Sequence, residues 1–282
     1  MQICTTIEEL REARAQMSGR VALVPTMGAL HAGHLAHLGY ARRSADHVAV
    51  SIFVNPTQFG PHEDFNRYPR TLDVDTAKCE TAGADLVFAP EAETMYPPGL
   101  PGVELTVPGV ADGLEGGQRP GHFAGVCRVV LKLLNLVQPD FVTFGRKDYQ
   151  QLAVVSAMIS DLMLPIDIIE VPTVREGDGL AMSSRNRYLE DEQRKHALGL
   201  SKALKQAQQM AGDGEPDPVA IETMMRDVMQ AYHLDVDYAA VRHARTLGEI
   251  ESVVPAESVA LVAGRLGKVR LIDNAVLSET LG

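Results

Sequence analysis

The sequence predicts a doubly wound parallel α/β sheet followed by a smaller α+β region, and three observations carry that reading. Short apolar runs rich in Val, Ile and Phe alternate with longer stretches of helical period from residue 21 to residue 171. The runs are apolar throughout rather than alternating, as strands covered on both faces must be. After about residue 175 the pattern changes to two helical segments and then three strands, which separates a domain over 1–175 from one over 176–282.

The elements follow in order. Thr6 and Glu9 form a capping box ahead of Ile7, Leu10 and Ala13, which repeat at helical spacing. Strands are predicted over 21–25, 47–54, 85–90, 141–145 and 166–171, and helices over 33–46, 71–83, 122–138 and 148–162. The clearest helix is 122–138, where Phe123, Val126, Val130, Leu133, Leu134 and Val137 share one face. Strand–helix alternation demands right-handed crossovers and therefore parallel strands, whose carboxyl ends hold the ligand. Beyond the sheet, helices over 190–211 and 217–232 flank a Gly- and Pro-punctuated loop, and strands over 235–242, 258–267 and 268–277 complete the second domain.

Composition excludes several classes. The 282 residues hold 26 Lys+Arg against 37 Asp+Glu, a formal net charge of −11, which argues against a whole surface built to track nucleic acid. No apolar stretch reaches the length of a membrane span, and the amino terminus lacks the order of a signal peptide, so a cytoplasmic enzyme is expected. Cys4, Cys79 and Cys127 fit neither a zinc spacing nor a redox pair and are expected to be buried, inert thiols.

The strand over 21–25 runs directly into Pro25-Thr26-Met27-Gly28-Ala29-Leu30-His31-Ala32-Gly33-His34. Gly28 can take a positive φ at the exit from the strand, and Gly33 permits close approach to the backbone. A helix starting near Gly33 presents free N–H groups and a partial positive charge, and His31 and His34 add donors that can become cationic beside phosphate. A zinc pair is the competing use of two histidines, but no third ligand lies nearby. His37, His47, His62, His196, His233 and His243 are expected to be ordinary surface or packing residues.

Other blocks bear chemistry. After the strand over 141–145, Lys147 suits phosphates, Asp148 can accept from a ribose hydroxyl, and Gln151 offers both donor and acceptor. Ser183, Ser184 and Arg185 can grip pyrophosphate from a loop at the domain junction. Gln58 can bond a carboxylate or hydroxyl without the desolvation cost of a charge. Asn55 serves either the same ligand or the turn at Pro56, and Arg119 and His122 reach either the ligand or the start of a helix.

The run VPTMGALHAGH resembles the HIGH-type signature of the adenylyl-transferring α/β superfamily that includes class I aminoacyl-tRNA synthetases. Within it, VNPTQF, YPRTL, RPGHF, GRKDYQQ, AMSSRN and RLIDN, in that order over residues 54–274, are similar to the pantothenate synthetase family. The resemblance implies a Rossmann-like HIGH-type nucleotidyl-transfer fold with the second domain as a lid. It implies a Mg²⁺-dependent homodimeric ligase that condenses pantoate with β-alanine at the expense of ATP through a pantoyl-adenylate. On that resemblance the ATP contacts are Met27 to His34, Gly145, Arg146, Lys147 and Asp148, together with Val174, Met182 and Ser183 to Arg185. Gln58, Gln151, Pro25, Thr26, Asn55, Arg119 and His122 serve the acid and the amine, and Asp75 is the candidate Mg²⁺ ligand. Arg146 departs from the acidic residue expected before the lysine. A nucleotidyltransferase that keeps AMP on its product shares the HxGH logic; the carboxylate pocket implied by Gln58 and Gln151 separates the two. A tRNA ligase is disfavoured by the acidic total.

Overall fold

Continuous apolar strands must be covered on both faces, and this requirement organises the first part of the chain. A computed structural model describes every residue except His62, Asp64, Thr280 and Gly282, so the expectation for His62 lies outside the described residues. The chain divides into two units, Met1–Gly145 with Val154–Val171 and Arg146–Ala153 with Pro172–Gly282.

The first unit holds β1 (Gln2–Cys4), α1 (Ile7–Ala15), β2 (Val21–Thr26), α2 (Ala32–Ser44), β3 (His47–Ile52), α3 (Leu72–Thr81), β4 (Leu86–Phe88), α4 (Ala92–Met95), α5 (Leu114–Gln118), α6 (His122–Val137), β5 (Phe141–Gly145) and β6 (Asp167–Val171). Among the described residues its strands make one six-stranded sheet in the order β1-β4-β3-β2-β5-β6, and every pairing is parallel. Strand order reverses between β2 and β5, so the chain leaves these adjacent strands at Thr26 and Gly145 on the same carboxyl edge, the switch point of an open α/β sheet. Ala22, Val24, Val48, Val50 and Val87 pack against Leu30, Leu38, Ala41 and Cys79 of the covering segments. The Thr6–Glu9 capping box is present, with Glu9 N donating to Thr6 Oγ1 at 3.2 Å and Thr6 N to Glu9 Oε2 at 3.1 Å. Strand β1 and helices α4 and α5 were not anticipated, being too short to show a period.

Helix α7 (Tyr149–Asp161) begins in the second unit and ends in the first. The second unit continues with α8 (Asp191–Gly212), α9 (Pro218–Ala231), β7 (Asp235–His243), β8 (Ser258–Leu266) and β9 (Val269–Val276), the last three forming an antiparallel sheet. Its core is built from Ala197, Leu200, Leu204, Ile221, Met225 and Met229 against Val241, Ala260 and Val262. The expected boundary at 175/176 is displaced to 171/172, and residues 146–153 join the second unit. The physical reason is local: Asn274 bonds the backbone of Arg146 and Lys147, and the Tyr149 hydroxyl donates to Ala244 O at 3.1 Å.

All three cysteines are buried and free, and burial pushes the Cys79 and Cys127 thiols up to about 11. A backbone approach fixes Gly125 on α6: a Cβ there would stand 2.2 Å from Thr57 O and 2.7 Å from Gln58 N. Gly125→Ala should therefore lower the unfolding free energy by about 1–3 kcal/mol through overpacking, read in urea denaturation.

Candidate active site

The loop after β2 is shaped by a carboxylate. Gly28 and Ala29 both take positive φ, 82° and 51°, which turns the amides of Ala29 and Leu30 towards one point. Asp75 of α3 occupies that point: Oδ2 accepts from Ala29 N and Oδ1 from Leu30 N, each at 2.8 Å, and Thr71 Oγ1 donates to Oδ2 at 3.0 Å. One turn further along α3, Lys78 Nζ donates to Leu30 O at 2.6 Å. The Thr26 hydroxyl donates to Ser51 O at 2.7 Å and accepts from Gly28 N at 3.3 Å, so it too is engaged by the backbone. The Ala29 and Leu30 amides and the Thr26 hydroxyl thus each have a partner within the protein, and these bonds set the shape of the loop.

Beyond the loop, His31 is the N-cap of α2 and His34 is its third residue, and together they form a capping box made of imidazoles. His31 Nδ1 accepts from Gly33 N at 3.2 Å, His34 Nδ1 accepts from His31 N at 3.3 Å, and the ring centroids lie 4.1 Å apart. With each Nδ1 accepting, the neutral rings carry their proton on Nε2. Gly33 is required by this packing, since a Cβ would meet the His31 ring at 2.9 Å. The spacing of His31 and His34 is that of any capping box, a signal legible in the sequence.

Gln58 stands in the turn after β3, buried to 8% exposure. Asn55 Nδ2 donates to its Oε1 at 2.9 Å, and Gln58 Nε2 faces Met27 Sδ at 3.3 Å, a weak acceptor that a substrate oxygen can displace. Asn55, 1% exposed, bonds Gly125 O as well and accepts from Thr57 N, Thr57 Oγ1 and Tyr96 Oη. Of the two roles open to Asn55, the structure shows the turn-forming one, together with the bond that orients Gln58. Tyr96, whose hydroxyl is 2.9 Å from Asn55 Oδ1, was missed because nothing in its surroundings forms a motif.

Arg119 and His122 also turn inward. The guanidinium forks onto Glu63 with two 2.7 Å bonds, and its third nitrogen lies 2.9 Å from His122 Nε2. His122 Nδ1 is 2.8 Å from Gln58 O, so the neutral ring accepts from Arg119 and donates to the carbonyl. Burial first, and the Arg119 charge second, push His122 down to about 4. Burial alone would raise the Glu63 carboxyl, but the Arg119 hydrogen bond and charge hold it below the ordinary value. Arg119 and His122 thus form a hydrogen-bonded chain that reaches the Gln58 carbonyl, and Glu63 is its unforeseen member.

In the second unit, residues 146–148 form a short 3₁₀ turn into α7 that carries Lys147, whose Nζ meets Asp148 Oδ1 at 3.3 Å. Arg146 pairs with Glu279 at 2.7 Å, and Gln151 lies in the first turn of α7. A narrow hairpin carries the serines: Met182 N donates to Val174 O at 2.9 Å, Arg175 bridges Ala181, and Ser183 Oγ caps Arg185 N at 3.3 Å. Asn186 Nδ2 secures the loop by donating to Glu176 Oε1 at 2.6 Å and Ala181 O at 3.0 Å. Glu176 and Asn186 were missed because their task is to hold the loop.

A family model for pantoate-beta-alanine ligase matches residues 2–276. The chain belongs to this family. A pantothenate synthetase of Acidothermus cellulolyticus is 52% identical over 275 residues, covering 96% of this chain and 90% of that one. One from Chloroflexus aurantiacus is 50% identical and covers 98% of each. Among solved structures, a pantothenate synthetase from Thermus thermophilus matches with TM-score 0.93 at 46% identity, over 99% of this chain and 100% of that one. Pantoate-beta-alanine ligase from Francisella tularensis, complexed with beta-gamma ATP and beta-alanine, matches with TM-score 0.78 at 30% identity over the whole of both chains. The protein is accordingly a ligase of the pantoate-β-alanine class with the Rossmann-like fold of these relatives.

The residues here do not fit a protein-built Mg²⁺ site. Asp75 is 0% exposed with both oxygens engaged, and no group of three or more metal-ligating side chains stands together among the described residues. The expected metal ligand is thus corrected to a loop brace.

Two outcomes follow. Asp75→Asn keeps the shape but cannot accept both amides, so stability should fall by about 1–3 kcal/mol in thermal unfolding; the Mg²⁺ dependence of ligase turnover should keep its midpoint, and a shift to higher Mg²⁺ would return Asp75 to the metal. For His122 the unfolded chain binds the extra proton, so stability should fall as pH drops from the ordinary 6.5 to about 4. Urea unfolding across that window should show a shallower slope for His122→Gln.

Proposed function

We propose that the protein condenses pantoate with β-alanine in two ATP-driven half-reactions through a pantoyl-adenylate. The observation that carries this reading is the histidine capping box, which places both imidazoles at the amino end of α2 with Nδ1 turned to the backbone. A carboxylate is already ionised at neutral pH, so pantoate attacks the α-phosphate without a base. One carboxylate oxygen forms the new bond to phosphorus, and the bond from phosphorus to the bridging oxygen breaks with release of pyrophosphate. His31 and His34 donate to the phosphate oxygens, His34 to the leaving group, and Lys147, Ser183, Ser184 and Arg185 neutralise the spreading charge. Gln58 presents Nε2 to pantoate because Asn55 occupies its oxygen, and Gln151 supplies the second amide. In the second half-reaction the neutral amine of β-alanine attacks the acyl carbon, AMP departs with the bridging oxygen, and the ammonium proton passes to water. Mg²⁺ would arrive with the ATP phosphates, whose charge it would help to neutralise, rather than being held by a ligand set of this chain.

With ATP, Mg²⁺, pantoate and β-alanine the protein should release AMP and pyrophosphate in equal amounts; ADP release, or turnover without pantoate, would sink the scheme. Lys147→Ala should slow pantoate-dependent pyrophosphate exchange on the order of 100-fold or more at unchanged thermal stability.

A further inference from the structure

The RLIDN block is prominent in the sequence yet has no part in the scheme above. It lies on β9, where Asp273 pairs with Val262 and Asn274 with Leu261 of β8. Asn274, 7% exposed, directs its amide to two successive carbonyls, donating to Arg146 O at 2.9 Å and Lys147 O at 2.8 Å. Two bonds from one NH₂ group fix both peptide planes of the turn that carries Lys147.

The anchor is itself immobilised. Asp273 Oδ1 accepts from Asn274 N at 2.8 Å, and the same carboxylate takes a forked pair of bonds from Arg175 at 2.7 and 3.1 Å. That ion pair is buried, with side chains 9% and 1% exposed, and Arg175 also opens the hairpin of Ser183 to Arg185. Lys147 by contrast has a loose side-chain partner: the Asp148 contact is 3.3 Å and half of that carboxylate is in solvent. Its ammonium is therefore placed by its backbone, and its backbone by Asn274.

We propose that Asn274 is a positioning residue for Lys147, holding the turn so that the ammonium stands where charge develops on the phosphates. This rests on the proposed contact of Lys147 with ATP. Displacement of such a charge by about 1 Å costs on the order of 100-fold in rate, whereas uniform binding elsewhere is untouched.

The test uses the full chain and a double-mutant cycle in pantoate-dependent pyrophosphate exchange. Asn274→Asp is nearly isosteric but sets a carboxylate against two carbonyl oxygens, and Asn274→Ala removes the donors without adding charge. Each should lower the exchange rate constant on the order of 10- to 100-fold with an unchanged KM for pantoate, while formation of pantothenate from supplied pantoyl-adenylate stays at the wild-type rate. In the Lys147→Ala background the same changes should cost less than about threefold more, because the residue they act through is gone. Full additivity in that background, equal loss in both half-reactions, or wild-type exchange in both Asn274 variants would overturn the proposal. Wild-type exchange by Lys147→Ala alone would instead remove Lys147 from the ATP site, and the role of Asn274 with it.

Discussion

The Asp75 carboxylate, withdrawn from solvent on α3, accepts the amides of Ala29 and Leu30, and through them sets the loop that ends in His31. Two consecutive residues at positive φ form a concavity of converging N–H groups, which attracts an anion. Here the anion is supplied by the protein. Ala29 stays in a conformation that disfavours a side chain because a buried carboxylate would otherwise lose the two backbone amides that solvate it, keeping only the Thr71 hydroxyl. The start of α2, the histidine capping box and the carboxyl edge of β2 all follow from that contact.

A second theme is that the donors or acceptors a side chain presents are selected by the bonds its other atoms make. An imidazole or a primary amide can present either a donor or an acceptor, and a neutral ring chooses its tautomer by its other nitrogen. Backbone amides at both Nδ1 atoms leave Nε2–H on His31 and His34, and Asn55 on Gln58 Oε1 leaves NH₂. Carboxylate and phosphate oxygens only accept, so donors fixed in this way suit them. The hydrogen-bonding character of these side chains is therefore written as much in Asn55 and Gly33 as in the imidazoles and amide themselves.

Two ion pairs fix geometry in the same way. Glu63 with Arg119 and Asp273 with Arg175 are forked carboxylate–guanidinium contacts that fix two groups in one geometry. Such pairs contribute little net stability after desolvation, and their use is register and orientation. His122, kept neutral by burial and by Arg119, serves the same end without a charge of its own.

Local pattern by itself determined the parallel sheet, nearly every long helix and strand, the Thr6–Glu9 cap and the segments that carry Lys147, Gln58 and the paired serines. Those are properties of apolar period, capping chemistry and motif, all expressed within a few residues. Only tertiary structure decided which partners within the chain the polar residues of those segments take. Asp75, Asn55, Thr26, Arg119 and His122 read equally well as ligand contacts, and each is engaged by a partner 25 to 70 positions away or by the turn it builds. The same holds for residues 146–153, which follow a strand of the first unit but belong to the second through Asn274, 127 and 128 positions downstream. A hydrogen bond between distant residues leaves no periodic trace in either segment, and the saturation of a buried donor or acceptor can be counted only once the chain has folded.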